Sequence, residues 1–326
     1  MRDRELIPVS FCIVSSLPTA NSSSSAGPHL ALIAVQVLFA TWPIVGKIAL
    51  RTLPPISLVG FRVGGATIML LALAGLKGRL RVIEWRDWPL LILSSLLGLI
   101  FNQWLYVSGL SLTTAINSTL ISTAIPVATL LVGIILGTDR ATTRRVLGII
   151  LAAVGVLSLV ARSGGGFSAG TRAGDLLIVA NSLCYGAYIA VSKDLVRRYS
   201  SLNVITWIFV IGCFACVPAG IVSLRQIPLN SITPGVWVAL VYIVALPTAG
   251  AYFLNAWALA RVPPSTVAVY IYLQPLIAFV LAPVVLGEAV GLGAILSSLL
   301  ILAGVLIVTR RRSSRPAVET GASPQV

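Results

Sequence analysis

A stripe of amide, phenol and hydroxyl side chains runs along an otherwise apolar segment of the chain. Its members are Asn181, Tyr185, Tyr188 and Ser192, at steps of four, three and four residues, a spacing that places them on one side of an α-helix. Amides both donate and accept hydrogen bonds, and aromatic rings stack on planar or cationic groups. This combination predicts a surface that holds a small molecule without reacting with it.

Other apolar segments present side chains of the same kinds. The predicted binding residues are Phe39, Trp42, Asn102, Asn181, Tyr185, Tyr188, Asn255, Tyr270 and Gln274, and Gln103, Tyr106, Asn117, Ser122 and Thr248 lie in the same pattern. Together they predict a cavity lined by amides and rings. The alternative interpretation is that these groups bond between helices, where each contributes about 0.6 kcal/mol to packing.

Charged residues inside apolar segments are costly and usually functional. Arg62 lies about seven residues into its segment, about 10 Å deep, where it contacts either a substrate carboxylate or another helix. Lys47 and Lys193 fall near segment ends, where snorkelling to the interface is expected. All nine acidic residues are expected in tails, loops or helix ends. No midplane carboxylate is therefore predicted to carry a proton or sodium ion, which favours uniport or exchange.

Glu288 is the strongest exception to this pattern, because it closes a predicted helix. A helix-end glutamate usually bonds to backbone or to a basic residue, so we expect a structural role. The one histidine, His29, sits at a helix start, and Cys213 and Cys216 lie within one apolar segment. These residues build no triad and no metal site. The sequence therefore predicts no enzyme activity, no metal and no cofactor.

The polar residues must be positioned by membrane helices. Hydrophobic residues form 57% of the chain and charged residues 10%, far from the composition of a soluble domain. Basic residues lie at segment ends, which argues against a nucleic-acid partner. Ten apolar stretches are long enough to cross a bilayer, starting near His29, Pro55, Trp88, Thr113, Arg145, Asp175, Leu202, Val236, Thr266 and Gly291. We predict an all-α integral membrane protein with ten transmembrane helices.

The two halves of the chain repeat each other. An aromatic residue stands eight positions before a lysine in both Phe39–Lys47 and Tyr185–Lys193, and Leu136-Gly137 is matched by Leu286-Gly287. Five helices per half require opposite insertion of the halves, so the predicted architecture is two inverted five-helix repeats. The predicted boundaries are 29–162 and 175–309, joined by a periplasmic linker at 163–174.

The distribution of lysine and arginine predicts the orientation. With both termini on one side, that side collects 17 of the 23 basic residues, so both termini are predicted to be cytoplasmic. Residues 1–28 are expected to form a disordered cytoplasmic leader rather than a signal peptide, because Glu5 and the missing cleavage site disfavour the latter. Residues 310–326 are a basic cytoplasmic tail. The expected partners are a small-molecule substrate and the lipid bilayer, with the chain a monomer or homodimer.

These repeats resemble the EamA-type transporters of the drug/metabolite transporter superfamily, over about residues 30–310. The resemblance rests on motifs in this order: Phe39-Ala40 before Lys47, Phe61-Arg62-Val63-Gly64-Gly65-Ala66, Pro126 with Gly137, Tyr185-Gly186 before Lys193, and Pro275 with Gly287-Glu288. The chain departs from the family pattern at Phe39, where tryptophan is usual, and at Thr138-Asp139, where glutamate is usual.

The resemblance implies ten helices and a secondary transporter of the bacterial inner membrane that exports small metabolites. Family members handle amino acids, aromatic compounds, sugars and toxic cations, so the resemblance does not select the substrate. An amino acid or aromatic metabolite, carried by alternating access, fits the predicted lining. A proton-coupled multidrug efflux carrier is the alternative, and an intramembrane enzyme or a channel is disfavoured.

Overall fold

The computed structural model describes residues 26–76, 80–137, 139–162, 169–259, 261–262 and 270–309. Over these ranges the regular structure is entirely helical. The predicted tail, most of the predicted leader and the predicted helix start near Thr266 lie outside the described residues.

Seven α-helices lie in the described part of the first half. They are α1 (Ala26–Ala49), α2 (Pro55–Leu76), α3 (Trp88–Ser95), α4 (Phe101–Leu112), α5 (Ala115–Ser122), α6 (Ile125–Ile135) and α7 (Thr143–Arg162). The second half forms α8 (Ala169–Tyr199), α9 (Ser201–Leu224), α10 (Pro234–Ile243), α11 (Ala251–Leu259), α12 (Leu273–Leu286) and α13 (Leu292–Thr309). A π-helical turn joins α3 to α4 at Leu96–Ile100, and another joins α10 to α11 at Val244–Gly250.

Seven helices of the described chain are long and apolar enough to cross a membrane. Six of them are α1, α2, α7, α9, α13 and the part of α8 from Thr171 to Tyr199. The seventh is the continuous segment Trp85–Leu112. The pair α5 and α6 is bent by 41° and makes an eighth if it is one span. Pro234–Thr248 and α12 are shorter apolar helices. The architecture of ten transmembrane helices in two inverted repeats stays a prediction.

Helix irregularities recur at corresponding places in the two halves. The π-helical turns at 96–100 and 244–250 interrupt matching segments. Gly137 and Gly287 follow α6 and α12 with φ angles of 70° and 71°, a left-handed conformation that glycine adopts without steric cost. The matched glycines noted in the sequence thus end matching helices.

Helices α7 and α13 pack closely through small residues. A Cβ atom added at Gly304 would lie 2.5 Å from the backbone nitrogen of Ala152 and 2.6 Å from the carbonyl oxygen of Gly148. The hydroxyls of Ser158 and Ser297 are 2.7 Å apart across the same interface. In a membrane, such small residues let helix backbones meet and gain dispersion contacts.

We predict that Gly304→Ala lowers the free energy of unfolding by about 1 to 3 kcal/mol, because the methyl group forces these backbones apart. The matched control is Gly75→Ala on α2, where an added Cβ meets nothing within 4 Å. That control is expected to be neutral or stabilising, since alanine favours helix. Denaturant unfolding of the purified protein checks both variants, and equal midpoints would contradict the packing account.

The largest boundary difference from the sequence prediction lies at α8. This helix begins at Ala169, six residues before the predicted start at Asp175. Residues 169–174 carry Arg172, two glycines and few large apolar side chains, so hydropathy alone excludes them from a membrane segment. The prediction that Asp175 lies at a helix start was therefore wrong: it lies inside α8 and is fully buried.

Candidate functional site

The guanidinium of Arg62 lies at the centre of a polar and aromatic cluster. Its carbon atom lies 4.1 Å from the centre of the Trp42 ring. Its Nη1 donates to Gln103 Oε1 at 2.8 Å, and its Nε donates to Thr248 Oγ1 at 3.4 Å. Arg62 is half-buried on α2, and Thr248 belongs to the second half of the chain. Arg62 therefore faces protein from both halves, as its depth in the sequence predicted.

Two stacked aromatic rings pack on one side of the Arg62 guanidinium. Trp42 is only 7% exposed, and its ring stacks on that of Tyr106 with centroids 6.2 Å apart and planes 22° apart. Because a cation over an indole face is attracted by the ring quadrupole, Trp42 holds the guanidinium in place. The arginine fork is thereby oriented before any ligand arrives.

A chain of amides continues from Arg62 into α8. Gln103 Nε2 donates to Asn102 Oδ1 at 3.3 Å, and the Asn181 side chain donates to the backbone oxygen of Asn102 at 2.8 Å. Asn102 and Asn181 are both buried. Since α4 and α8 belong to different halves, this chain couples the two predicted repeats. The structure brings together Trp42, Asn102 and Asn181 of the predicted set, with Arg62 between them.

The tyrosines of the α8 stripe lie one and two helical turns along α8 from Asn181. The rings of Tyr185 and Tyr188 are 5.4 Å apart, and Tyr188 packs in the same apolar cluster as Trp42. Gly98 makes room for it, because an added Cβ there would lie 2.5 Å from the Tyr188 ring. Phe39 on α1 and Asn255 on α11 are half-buried. They lie on helices that contact each other.

Two predicted residues, Tyr270 and Gln274, contact α1 at positions away from the Arg62 cluster. Tyr270 shares a 2.8 Å hydrogen bond with His29, and Gln274 donates to Gln36 at 2.7 Å. Gln36 is six residues from Trp42, about 9 Å along the helix axis, so these residues form a separate polar contact between α1 and α12. Gln36 was not predicted, because a single amide within an apolar helix has no periodic partner.

A third set of polar residues lies at the end of the bundle where α1 ends. These residues contact the turn between α4 and α5. The Lys47 ammonium donates to the carbonyl oxygens of Leu110, at 3.3 Å, and of Thr113. Snorkelling of Lys47 to the interface stays a prediction, and these two carbonyls are partners for its charge within the protein. Lys193 is half-buried six residues before the end of α8.

Glu288 reaches the same turn from the residues after α12. Its two carboxylate oxygens accept from the backbone nitrogens of Ala115 and Ile116 at 2.7 and 3.1 Å. These are unpaired N–H groups of the first turn of α5, where a negative charge is also favoured by the helix dipole. The bonding to backbone expected from the sequence is confirmed.

Asp175 completes the contacts to this turn. Its carboxylate accepts from the Thr113 hydroxyl, and the Asn117 amide donates to both of its oxygens at 3.2 and 3.1 Å. We call Lys47, Asp175 and Glu288, with the α4–α5 turn that they hold, the polar clasp. A cavity of about 290 Å³ beside it is lined by Lys47, Arg51 and Glu288 among others. Asp175 was not predicted as a site residue, because the predicted helix start falls at that position.

The chain matches the model of the EamA-like transporter family over residues 27–161 and 172–310. An uncharacterized transporter of Archaeoglobus fulgidus is 26% identical over 285 residues, covering 87% of this chain and 98% of that protein. A "probable terminal-alkyne amino-acid exporter" of Streptantibioticus cattleyicolor is 27% identical over 261 residues, covering 78% and 85%. One solved crystal structure shares the fold with a TM-score of 0.56 and 21% identity, covering 88% of this chain and 97% of that one. The chain therefore belongs to the EamA-like transporter family.

Proposed function

We propose that this protein exports a small amino-acid-like metabolite across the bacterial inner membrane by alternating access. The Arg62 cluster is the observation that carries this proposal. A guanidinium fixed on Trp42 offers charge-assisted hydrogen bonds to a carboxylate, and Gln103 and Thr248 add polar groups beside it. The tyrosines of α8 supply ring faces for the rest of the ligand.

The location of the cluster also supports a transport site. Its members come from α1, α2, α4 and the segment around Thr248, which span both halves of the chain. The π-helical turns at 96–100 and 244–250 and the left-handed glycines at 137 and 287 support two related repeats. In transporters with inverted repeats, substrate sites lie between the repeats, commonly where helices are interrupted. Thr248 itself lies in one of the π-helical turns.

The relatives support the same substrate class. The protein from S. cattleyicolor is named for an amino-acid cargo, and its similarity covers most of both chains. A carrier for cationic drugs is the alternative. The positive charge of Arg62, beside the ring that would otherwise hold a cation, disfavours it because two cations on one aromatic face repel each other.

An export screen tests the substrate class. Cells of a strain deficient in amino-acid export, with and without the protein, are loaded with radiolabelled amino acids, aromatic acids and matched amines that lack the carboxylate. We expect faster loss of at least one carboxylate-bearing compound from cells that carry the protein. Loss of amines or cationic dyes alone would reject the amino-acid proposal in favour of drug efflux.

Both termini are expected to be cytoplasmic, because this orientation places 17 of the 23 basic residues on the cytoplasmic side. Fusions of the full chain to a reporter that is fluorescent only in the cytoplasm, and to one that is active only in the periplasm, check this orientation. The cytoplasmic reporter is expected to give the signal at the C-terminus. Activity of the periplasmic reporter there would reverse the topology.

A further inference from the structure

The carboxylate of Asp175 is fully buried and accepts hydrogen bonds from two side chains. The Asn117 amide donates to both carboxylate oxygens, and the Thr113 hydroxyl donates to one of them. A proton on either oxygen would remove the negative charge towards which these donors are directed. Charge-assisted hydrogen bonds are about twice as strong as neutral ones. Protonation therefore weakens the hydrogen bonds that Thr113 and Asn117 still make to Asp175.

These bonds join the two halves of the chain. Asp175 belongs to α8, whereas Thr113 and Asn117 belong to the turn and helix that follow α4. The α8 backbone touches the same turn, because a Cβ added at Gly174 would lie 2.7 Å from the backbone nitrogen of Thr113 and 2.8 Å from the carbonyl oxygen of Gly109. Opening the bundle at this end therefore requires α8 to leave the turn, and the bonds of Asp175 resist that movement.

The described charged groups near the polar clasp come from the end of α1, from the residues after α12 and from α8. Lys47 on α1 binds the carbonyl of Thr113, Arg51 lies just beyond α1, and Glu288 is occupied by the backbone of α5. On α8 itself, Arg172 is exposed. The Lys47 ammonium is attracted by Glu288 and repelled by Arg51.

A cavity approaches this carboxylate through its neighbours. Thr113 bonds to Asp175 directly, and Thr171 lies one helical turn before it on the same face of α8. Both threonines line the 290 Å³ cavity at this end of the bundle. One side chain, that of Thr113, therefore connects Asp175 to the cavity.

We propose that Asp175 is a proton-binding site that controls opening of the bundle at the polar clasp. This inference rests on the proposed alternating-access function. A proton that binds one carboxylate oxygen gives a neutral carboxylic acid, removes one negative charge and releases the α4–α5 turn from α8. Because Asp175 lies at one end of the bundle, the proton acts from that side as a regulator and is not carried across. This regulation differs from proton-coupled transport, in which the proton crosses the membrane together with or against the substrate.

Thiol labelling tests this inference without any substrate. The reporter is Ser118→Cys, an isosteric change at a fully buried residue of α5, in a full-length protein whose four natural cysteines are replaced by alanine. Intact cells are treated with a membrane-impermeant maleimide between pH 8 and pH 5. Rates are divided by those of Gly291→Cys, where an added Cβ meets nothing within 4 Å, which cancels the pH dependence of thiol reactivity.

We expect the labelling ratio to rise about tenfold as the pH falls. This rise corresponds to a proton affinity of Asp175 that is about tenfold weaker in the closed form than in the open form. Asp175→Asn, which carries no titratable group, is expected to give a high ratio at every pH. Asn117→Ala removes two donors from the ionised form and is expected to move the midpoint about one unit to higher pH. Asp194→Asn, which removes an exposed carboxylate from the same helix, is the matched control and is expected to retain the pH response.

A ratio that does not change with pH in the parent, or a pH response that survives Asp175→Asn, would overturn the inference. If Asp175→Asn does not reach the membrane, the midpoint of Asn117→Ala decides, and an unshifted midpoint counts against Asp175. The export screen is independent of this assay. Failed export with a pH-dependent labelling ratio would reject the proposed function, whereas export with a constant ratio would reject only the proton site.

Discussion

Arg62→Ala is expected to lower transport by about 100-fold at substrate concentrations below saturation. The estimate follows from the loss of charge-assisted hydrogen bonds to a carboxylate, each worth about 1.5 to 3 kcal/mol. Arg62→Lys keeps the charge but loses the planar fork that stacks on Trp42, so we expect it to recover only a small part of the activity. Initial rates of radiolabelled amino-acid efflux from cells with equal amounts of membrane-inserted protein measure both effects.

The matched control for Arg62 is Arg225→Ala, which removes an exposed arginine just after α9. It is expected to transport at the wild-type rate. If Arg62→Ala also transports normally, its guanidinium only bonds neighbouring helices. A variant can also lose activity because less protein reaches the membrane. In that case the amount of membrane protein, measured by quantitative immunoblotting, falls in proportion to the transport rate.

Trp42→Ala and Tyr188→Ala are each expected to lower transport by at least about tenfold. Trp42 fixes the Arg62 guanidinium and stacks on Tyr106, and Tyr188 lies beside them in the same packed cluster. Removing either ring costs stacking energy with the ligand and leaves space in the site. Tyr188→Phe keeps the ring and is expected to retain most of the rate. Efflux rates normalised to the amount of inserted protein check these variants.

Trp85→Ala controls for the loss of an indole ring, because Trp85 is 78% exposed. It is expected to leave transport unchanged. A loss of a buried aromatic side chain also costs about 3 to 5 kcal/mol of stability, so the thermal midpoint of each purified variant must be measured beside its rate. Wild-type transport by both Trp42→Ala and Tyr188→Ala would show that these rings are packing groups.

Periodic signals in the sequence predicted the helices well. The predicted starts at Pro55 and Trp88 match α2 and α3, and those near Arg145, Leu202 and Gly291 lie within two residues of the observed starts. These segments have long apolar runs bounded by polar residues or proline, so their limits are local properties. The breaks inside the membrane segments were not predicted, because a π-helical turn depends on packing against neighbouring helices rather than on composition.

The candidate site was predicted less completely. Helical spacing identified Trp42, Asn102 and Asn181 because each side chain follows from its own helix face. The position of Arg62 between Gln103 and Thr248 depends on how three helices meet, which one sequence does not specify. Asp175 was missed for a similar reason, because the bonds that permit its burial come from the distant turn at Thr113 and from Asn117.

Counterflow in proteoliposomes tests the central claim, a carrier whose substrate binds at the Arg62 cluster. Vesicles that contain the purified protein are preloaded with the unlabelled amino acid that the export screen identifies, and a trace of the radiolabelled compound is added outside. With no ion gradient, the account predicts transient accumulation of label above its equilibrium level, absent with Arg62→Ala and retained with Arg225→Ala. Label that only equilibrates, at the same rate with or without preloading, would contradict alternating access and indicate a channel.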